Sequence, residues 1–253
     1  MNSYISTSTS RHLESEKLKQ MRDQFVQNVS HELRTPVAII RGYAELLDSG
    51  DLGSLSGEQK KIMQVITRQT HHLTRMVTRI GLLLAIDAHT ELQMPLRVED
   101  LLVSLVEEYQ DEARVSGLTL EYDVTSDGPF LAVGDEYQLS EALAGLIENA
   151  IKFTEEDGRI TVRVYRQDGM INLEVEDTGI GIPGEELQAI FEDFYQVDGS
   201  TTRRYGGLGV GLTLARRVAE SQGGHMEVES EVERGSKFRI CLPELEEAGG
   251  REE

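Results

Sequence analysis

Val29-Ser30-His31-Glu32-Leu33-Arg34-Thr35-Pro36 lies inside a run where Leu18, Met21, Phe25, Val29, Leu33, Val37, Ile40, Ala44 and Leu47 recur at steps of three and four. That period belongs to a long helix with one apolar seam. At ~100° per residue, His31 is ~200° from both Val29 and Leu33, so its imidazole points away from the seam. Pro36 sits mid-helix, where it removes a backbone hydrogen bond at a cost of about 3 kcal/mol in an ordinary helix. A bend beside an outward imidazole suggests a site rather than a filler surface.

Working outward, a second run, Ile62, Ile66, Gln69, Leu73, Met76, Ile80 and Leu83, forms another seam of coiled-coil type. Between the runs lies the turn-rich stretch Ser49 to Gly57, in which Ser56 is placed to cap the second helix. The two helices make an antiparallel hairpin. One hairpin is a poor core, whereas two packed by symmetry form a four-helix bundle, so a homodimer is expected. A monomeric hairpin folded on the following domain is the alternative.

After Asp87 the helical period is lost up to Pro95, which reads as a linker. Beyond it the pattern predicts helices over Val98 to Val115, Glu136 to Phe153 and about Gly209 to Ser221. Strands are predicted near Leu118 to Val124, Phe130 to Val133, Ile160 to Tyr165, Ile171 to Val175, His225 to Glu229 and Lys237 to Leu242. The fold class is therefore α+β: a helical hairpin forming a dimeric four-helix bundle, followed by a two-layer α/β sandwich. The expected segments are a lead-in at 1–20, the hairpin domain at 21–88, a linker at 89–95, the sandwich at 96–243 and an acidic tail at 244–253.

Composition narrows the classes. The chain has 253 residues, 39% apolar and 28% charged, with a net charge of −20. Such an acidic surface repels nucleic acid. No apolar run reaches the ~20 residues of a membrane span, and the polar Met1 to Arg11 does not look like a signal peptide. The lone Cys241 suits a reducing cytosol and, within an apolar alternation, reads as buried filler.

Four strings carry the chemistry of the second domain. In Glu148-Asn149-Ala150-Ile151-Lys152-Phe153-Thr154, Asn149 offers a neutral oxygen to a hard cation, and Lys152, on the same helical face, can neutralise phosphate. In Asp177-Thr178-Gly179-Ile180-Gly181-Ile182-Pro183, glycines allow a ligand to approach the backbone, and Asp177 can accept a hydrogen bond from the amino group of adenine. Phe191-Glu192-Asp193-Phe194-Tyr195 precedes a polar segment, Gly199 to Arg204, that reads as a lid. Gly206-Gly207-Leu208-Gly209-Val210-Gly211-Leu212 opens a helix whose N-terminus suits phosphate.

His31-Glu32-Leu33-Arg34-Thr35-Pro36 resembles the H-box of sensor histidine kinases. The four later strings, with Gly235-Ser236-Lys237-Phe238, are similar in order to the N, G1, F and G2 boxes and closing strand of that family's ATP domain. The resemblance covers about residues 22 to 243. It implies that His31 takes the γ-phosphoryl group of ATP on Nε2, with Glu32 as general base. It also implies that Thr35 orients water in a phosphatase reaction, although capping the proline bend is an equally good role. Asn149 is the implied Mg²⁺ ligand. Lys152, Phe153, Asp177, Gly179, Gly181, Gly207, Leu208, Gly209 and Gly211 are the implied nucleotide contacts. Two departures stand out: Gly145 replaces the usual second asparagine of the N-box, and Gln196 replaces a basic lid residue, which leaves the γ-phosphate to Arg203 or Arg204.

A response-regulator receiver domain is the implied partner, docking where Thr35, Ala38, Gly42 and Glu45 continue the His31 face. The rival reading is a pseudokinase that docks a regulator without ATP turnover. A gyrase-type ATP-driven clamp is a third, disfavoured because position 145 lacks the glutamate such enzymes use. Any membrane tether and sensor lie outside this chain.

Overall fold

The computed structural model describes residues 33–50, 53–86, 93–125, 128–193, 195 and 209–245. His31, Glu32, Arg203, Arg204, Gly207, Leu208, Gln196, the lead-in and nearly all of the acidic tail lie outside the described residues. The chain divides into two compact units, with the break between Leu84 and Ala85.

The first unit is the expected hairpin. Helix α1 covers residues 33–48 and helix α2 covers Gly57–Ala85. Ser56 caps α2 in a reciprocal box: Gln59 N–H donates to Ser56 Oγ at 3.3 Å, and Ser56 N–H donates to Gln59 Oε1 at 2.8 Å. Arg34 Nη2 lies 3.7 Å from where a Cβ on Gly81 would stand, so the start of α1 is beside the end of α2 and the helices run antiparallel.

The buried stripe matches the expected seam only in part. Val37 and Ala44 of α1 and Leu83 of α2 are seam residues and are buried, but Met63, Thr70, Val77 and Arg79 of α2, outside the expected seam, are buried as well. Leu33, Ile40 and Leu47, together with Ile62, Ile66 and Leu73, are exposed. Two helices cover each other along only one line, and the apolar side chains flanking that line stay open. Among the described residues no helix is long and apolar enough to cross a membrane.

The second unit runs β1 (Met94–Arg97), α3 (Val98–Val115), β2 (Thr119–Val124), β3 (Leu131–Gly134), α4 (Glu136–Phe153), β4 (Arg159–Gln167), β5 (Met170–Asp177), a short 3-10 turn (Ala189–Phe191), α5 (Gly211–Ser221), β6 (His225–Glu231) and β7 (Gly235–Pro243). The main sheet has strand order β2-β4-β5-β7-β6, with β2 and β4 parallel and the other pairs antiparallel. Strands β4 and β5 join through Asp168 and Gly169, both at positive φ (53° and 75°), the two-residue turn that matches strand twist. Met94 and Pro95, read as linker, instead open strand β1, which pairs with β3 in a separate two-stranded sheet. Proline is tolerated there because that strand lies at an edge.

The helices cover one face of the main sheet. Ile160, Val162 and Val164 of β4, Ile171, Leu173 and Val175 of β5, and Phe238, Ile240 and Leu242 of β7 alternate toward Leu139, Leu143, Leu146, Ile147 and Leu214, all buried. The residues between them point to the other face. There Glu174, buried, pairs with Arg163 at 2.8 Å and Arg239 at 3.1 Å. Cys241 is buried as expected, but it belongs to this polar face and not to the apolar one. Period-two alternation with Ile240 and Leu242 places it there.

Candidate functional site

Strand β5 ends at Asp177, and its exit loop is tied down on two sides. Thr178 N–H donates to the Arg159 carbonyl, and Ile180 N–H donates to the Phe153 carbonyl at the end of α4, both at 3.1 Å. Further on, Ile182 N–H donates to Ser230 Oγ at 2.8 Å. A Cβ on Gly179 would stand 2.4 Å from the Phe153 carbonyl oxygen, and one on Gly181, whose φ is +67°, would stand 2.0 Å from that of Glu231. Side chains at these two positions would push the loop off α4 and β6.

The Asp177 carboxylate is buried and asymmetric. Its Oδ1 accepts from Gly179 N–H at 2.8 Å and from Ser236 N–H at 3.3 Å. Burial raises its pKa above the usual aspartate value, and those two backbone donors oppose the rise. Both bonds reach one oxygen, which leaves Oδ2 to accept from a ligand. At the C-terminal end of α4, Thr154 Oγ1 is buried with no partner among the described residues. An oriented carboxylate with one oxygen left over fits a polar heterocycle better than an apolar one.

Helix α4 brings Asn149 and Lys152 to the same neighbourhood. Asp135 starts the helix by accepting from Gln138 N–H at 3.0 Å. A Cβ on Gly211 would lie 3.6 Å from Asn149 Nδ2, so the N-terminus of α5 abuts this asparagine. Gly209, just before α5, has φ +67°. Asn149 makes no side-chain hydrogen bond among the described residues, and its amide oxygen suits a hard cation such as Mg²⁺ that completes its shell with phosphate and water. The Lys152 ammonium lies 4.5 Å from the centre of the Phe153 ring, and burial lowers its pKa. An adjacent phosphate would favour the charged form and oppose that shift.

Of the expected contacts, the structure brings together Asn149 with Gly211, and Phe153 with Asp177 and Gly179. It places Gly181 against β6. Thr35 is exposed on α1, as are Ala38, Gly42 and Glu45. Sequence reasoning placed Ser236 in the closing strand without foreseeing its bond to Asp177, and missed Ser230; both hold the loop. It also missed Thr213 of α5, whose hydroxyl bonds the Glu192 carbonyl at 3.1 Å, and the Arg217–Asp193 pair at 3.0 Å. These anchors come from backbone groups and distant pairs, for which spacing gives no signal. Glu148 is held by Tyr109, whose hydroxyl donates to its carboxylate at 2.6 Å.

Two family models match the chain. Residues 21–88 match the His Kinase A (phospho-acceptor) domain, and residues 134–246 match the histidine kinase-, DNA gyrase B- and HSP90-like ATPase. The circadian input-output histidine kinase CikA of Synechococcus elongatus is 34% identical over 88% of this chain and 30% of its own length. The sensor histidine kinase RppB of Synechocystis is 34% identical over 88% of this chain and 49% of its own. The chain thus spans less than half of each of these relatives. Among solved structures, full-length ShkA in complex with AMPPNP aligns over 89% of this chain and 47% of its own, with TM-score 0.67 and 29% identity. The mycobacterial sensor histidine kinase MprB aligns over 60% of this chain and 97% of its own, with TM-score 0.52 and 27% identity.

Proposed function

The chain belongs to the sensor histidine kinases, carrying their phosphoacceptor and ATPase domains, and from that premise we propose that it phosphorylates its own His31 from ATP and passes the phosphoryl group to a receiver-domain aspartate. The observation that carries the nucleotide half is Asp177, whose Oδ1 is committed to two backbone donors while Oδ2 remains for the amino group of adenine. A guanine carbonyl at that point would set acceptor against acceptor. Thr154 Oγ1, buried and without a partner among the described residues, supports a second polar contact at the base.

In this reading Lys152 and the α5 N-terminus, with Gly209 and Gly211, receive the phosphates. Arg203 or Arg204 reaches the γ-phosphate. Asn149 would hold Mg²⁺, which supplies charge neutralisation across the phosphates when bound. His31 attacks as the neutral imidazole. Its Nε2–phosphorus bond forms as the bond to the bridging oxygen of ADP breaks, and Glu32 takes the proton from Nδ1. Thr35, exposed on α1, is available to orient water for regulator dephosphorylation. The exposed apolar side chains of the hairpin support a homodimer, and the open space around Gly42 supports receiver docking on α1.

Incubation with γ-labelled ATP tests the reaction. The expected product is an acid-labile label lost in His31→Gln. A fluorescent ATP analogue, tested in parallel, separates the pseudokinase reading: binding without label at His31 favours a docking module, with Gly145 and Gln196 as its supporting features. Absence of binding would remove the kinase reading.

A further inference from the structure

The helix-free face of the main sheet gathers a donor set unrelated to the nucleotide loop. Strands β6 and β7 pair His225 directly with Cys241, and Glu227 follows His225 on the same face of β6. One ligand atom from each of His225, Glu227 and Cys241 lies within 4.8 Å of the others. Donors around a tetrahedral zinc ion, with bonds of about 2.0–2.3 Å, stand roughly 3.3–3.8 Å apart. Small rotations of the exposed His225 and Glu227 close that gap.

We propose that His225, Glu227 and Cys241 form a binding site for a thiophilic divalent cation of the zinc class. Imidazole, carboxylate and thiolate are the donor types zinc takes, and magnesium does not take sulfur. The surroundings are arranged for it. Glu227 Oε1 faces His225 Nε2 at 3.5 Å, while its Oε2 accepts from Arg239 Nη1 at 2.5 Å. Arg239 thereby orients the carboxylate from outside the donor set. The Cys241 thiol donates to Asn172 Oδ1 at 3.1 Å, which aims the sulfur along this face. On binding, the sulfur–metal bond replaces the S–H bond and the proton goes to buffer. The fourth position opens to water on the exposed side of β6. The ion would clip the edge strand β6 to β7; the far end of β6, through Ser230 and Glu231, holds the Gly181 loop.

Cys241 is the only cysteine in the chain, so a sulfur signature identifies the site without ambiguity. The full chain is titrated with Co²⁺ under a phosphine reductant, and thiolate-to-cobalt charge transfer is followed in the near ultraviolet. The expected result is a band saturating at one ion per chain, displaced by Zn²⁺. The band should vanish in Cys241→Ser. In the exposed variant His225→Gln, affinity should weaken by more than the roughly tenfold that loss of an outer partner costs. If Cys241→Ser does not fold, His225→Gln decides alone. No charge-transfer band in the wild-type chain, or an unchanged titration in His225→Gln, overturns the proposal.

Discussion

The two units solve the burial problem in opposite ways. Among the described residues, the twelve largest fully buried side chains, from Tyr109 and Phe130 to Ile240, all belong to the α/β unit. The hairpin buries only a narrow stripe, Val37, Ala44, Met63, Thr70, Val77, Arg79 and Leu83 among the described residues, and leaves Ile39, Ile40, Tyr43, Ile62 and Val65 open, with Tyr43 66% and Ile62 61% exposed. An apolar surface of that kind on a helix pair is what supports the proposed homodimer. The α/β unit closes its own core, whereas the hairpin, in the proposed dimer, supplies half of one. Stability of the first should be independent of concentration, and that of the second should follow it.

The largest effect that can break this comparison is a core truncation. Leu143→Ala should cost the α/β unit about 2–5 kcal/mol in urea unfolding and leave the dimer constant unchanged. Next comes Leu73→Glu on the exposed stripe. In a dimer it should weaken association by about 2 kcal/mol or more by sedimentation. In a chain that stays single it should act as a surface change, within about 0.5 kcal/mol, and the contrast between the units would fail. Gly181→Ala forces a left-handed residue against Glu231 and should cost about 1–3 kcal/mol, with a parallel loss of nucleotide affinity. Ser56→Ala removes the capping box and should cost about 1 kcal/mol, read by circular dichroism in the hairpin transition alone.

The smallest effect on stability is expected at Asp177, and it has a definite sign. Burial raises this carboxyl in the folded protein, so its ionisation opposes folding. That penalty is present above the folded pKa and is relieved as pH falls through it. Asp177→Asn should therefore raise the melting temperature slightly at neutral pH. It should also abolish adenine binding, because an amide nitrogen then meets the amino group. In the wild-type chain, nucleotide affinity should fall on acidification earlier than an ordinary aspartate would dictate. Calorimetry across pH checks both.

Much of the architecture was legible because it rests on local period. Helices α3 and α4 appear at their expected bounds, and the β4–β5 hairpin turns at Asp168 and Gly169. The Ser56 cap is formed as its spacing suggests. The misses share a cause. Strand β1 contains Pro95 and looks like linker until β3 arrives to pair with it. The hairpin seam was assigned by counting apolar residues, but which of them are buried depends on the line along which α1 meets α2. Asn149 meets Gly211, and Phe153 meets Gly179, as neighbouring boxes would, yet the bond from Ser236 to Asp177, 59 residues away, had no spacing to announce it.

By itself, the order of residues determined the elements, the turn types and the chemistry available at each box. Those follow from backbone geometry and side-chain period within one or two turns of chain. Only the tertiary structure decided which oxygen of Asp177 is spent on the backbone, which apolar stripe of the hairpin stays open, and that Cys241 shares a face with His225 and Glu227. Each of these is a contact between segments far apart in the chain, and proximity of that kind is set by packing, which no local pattern encodes.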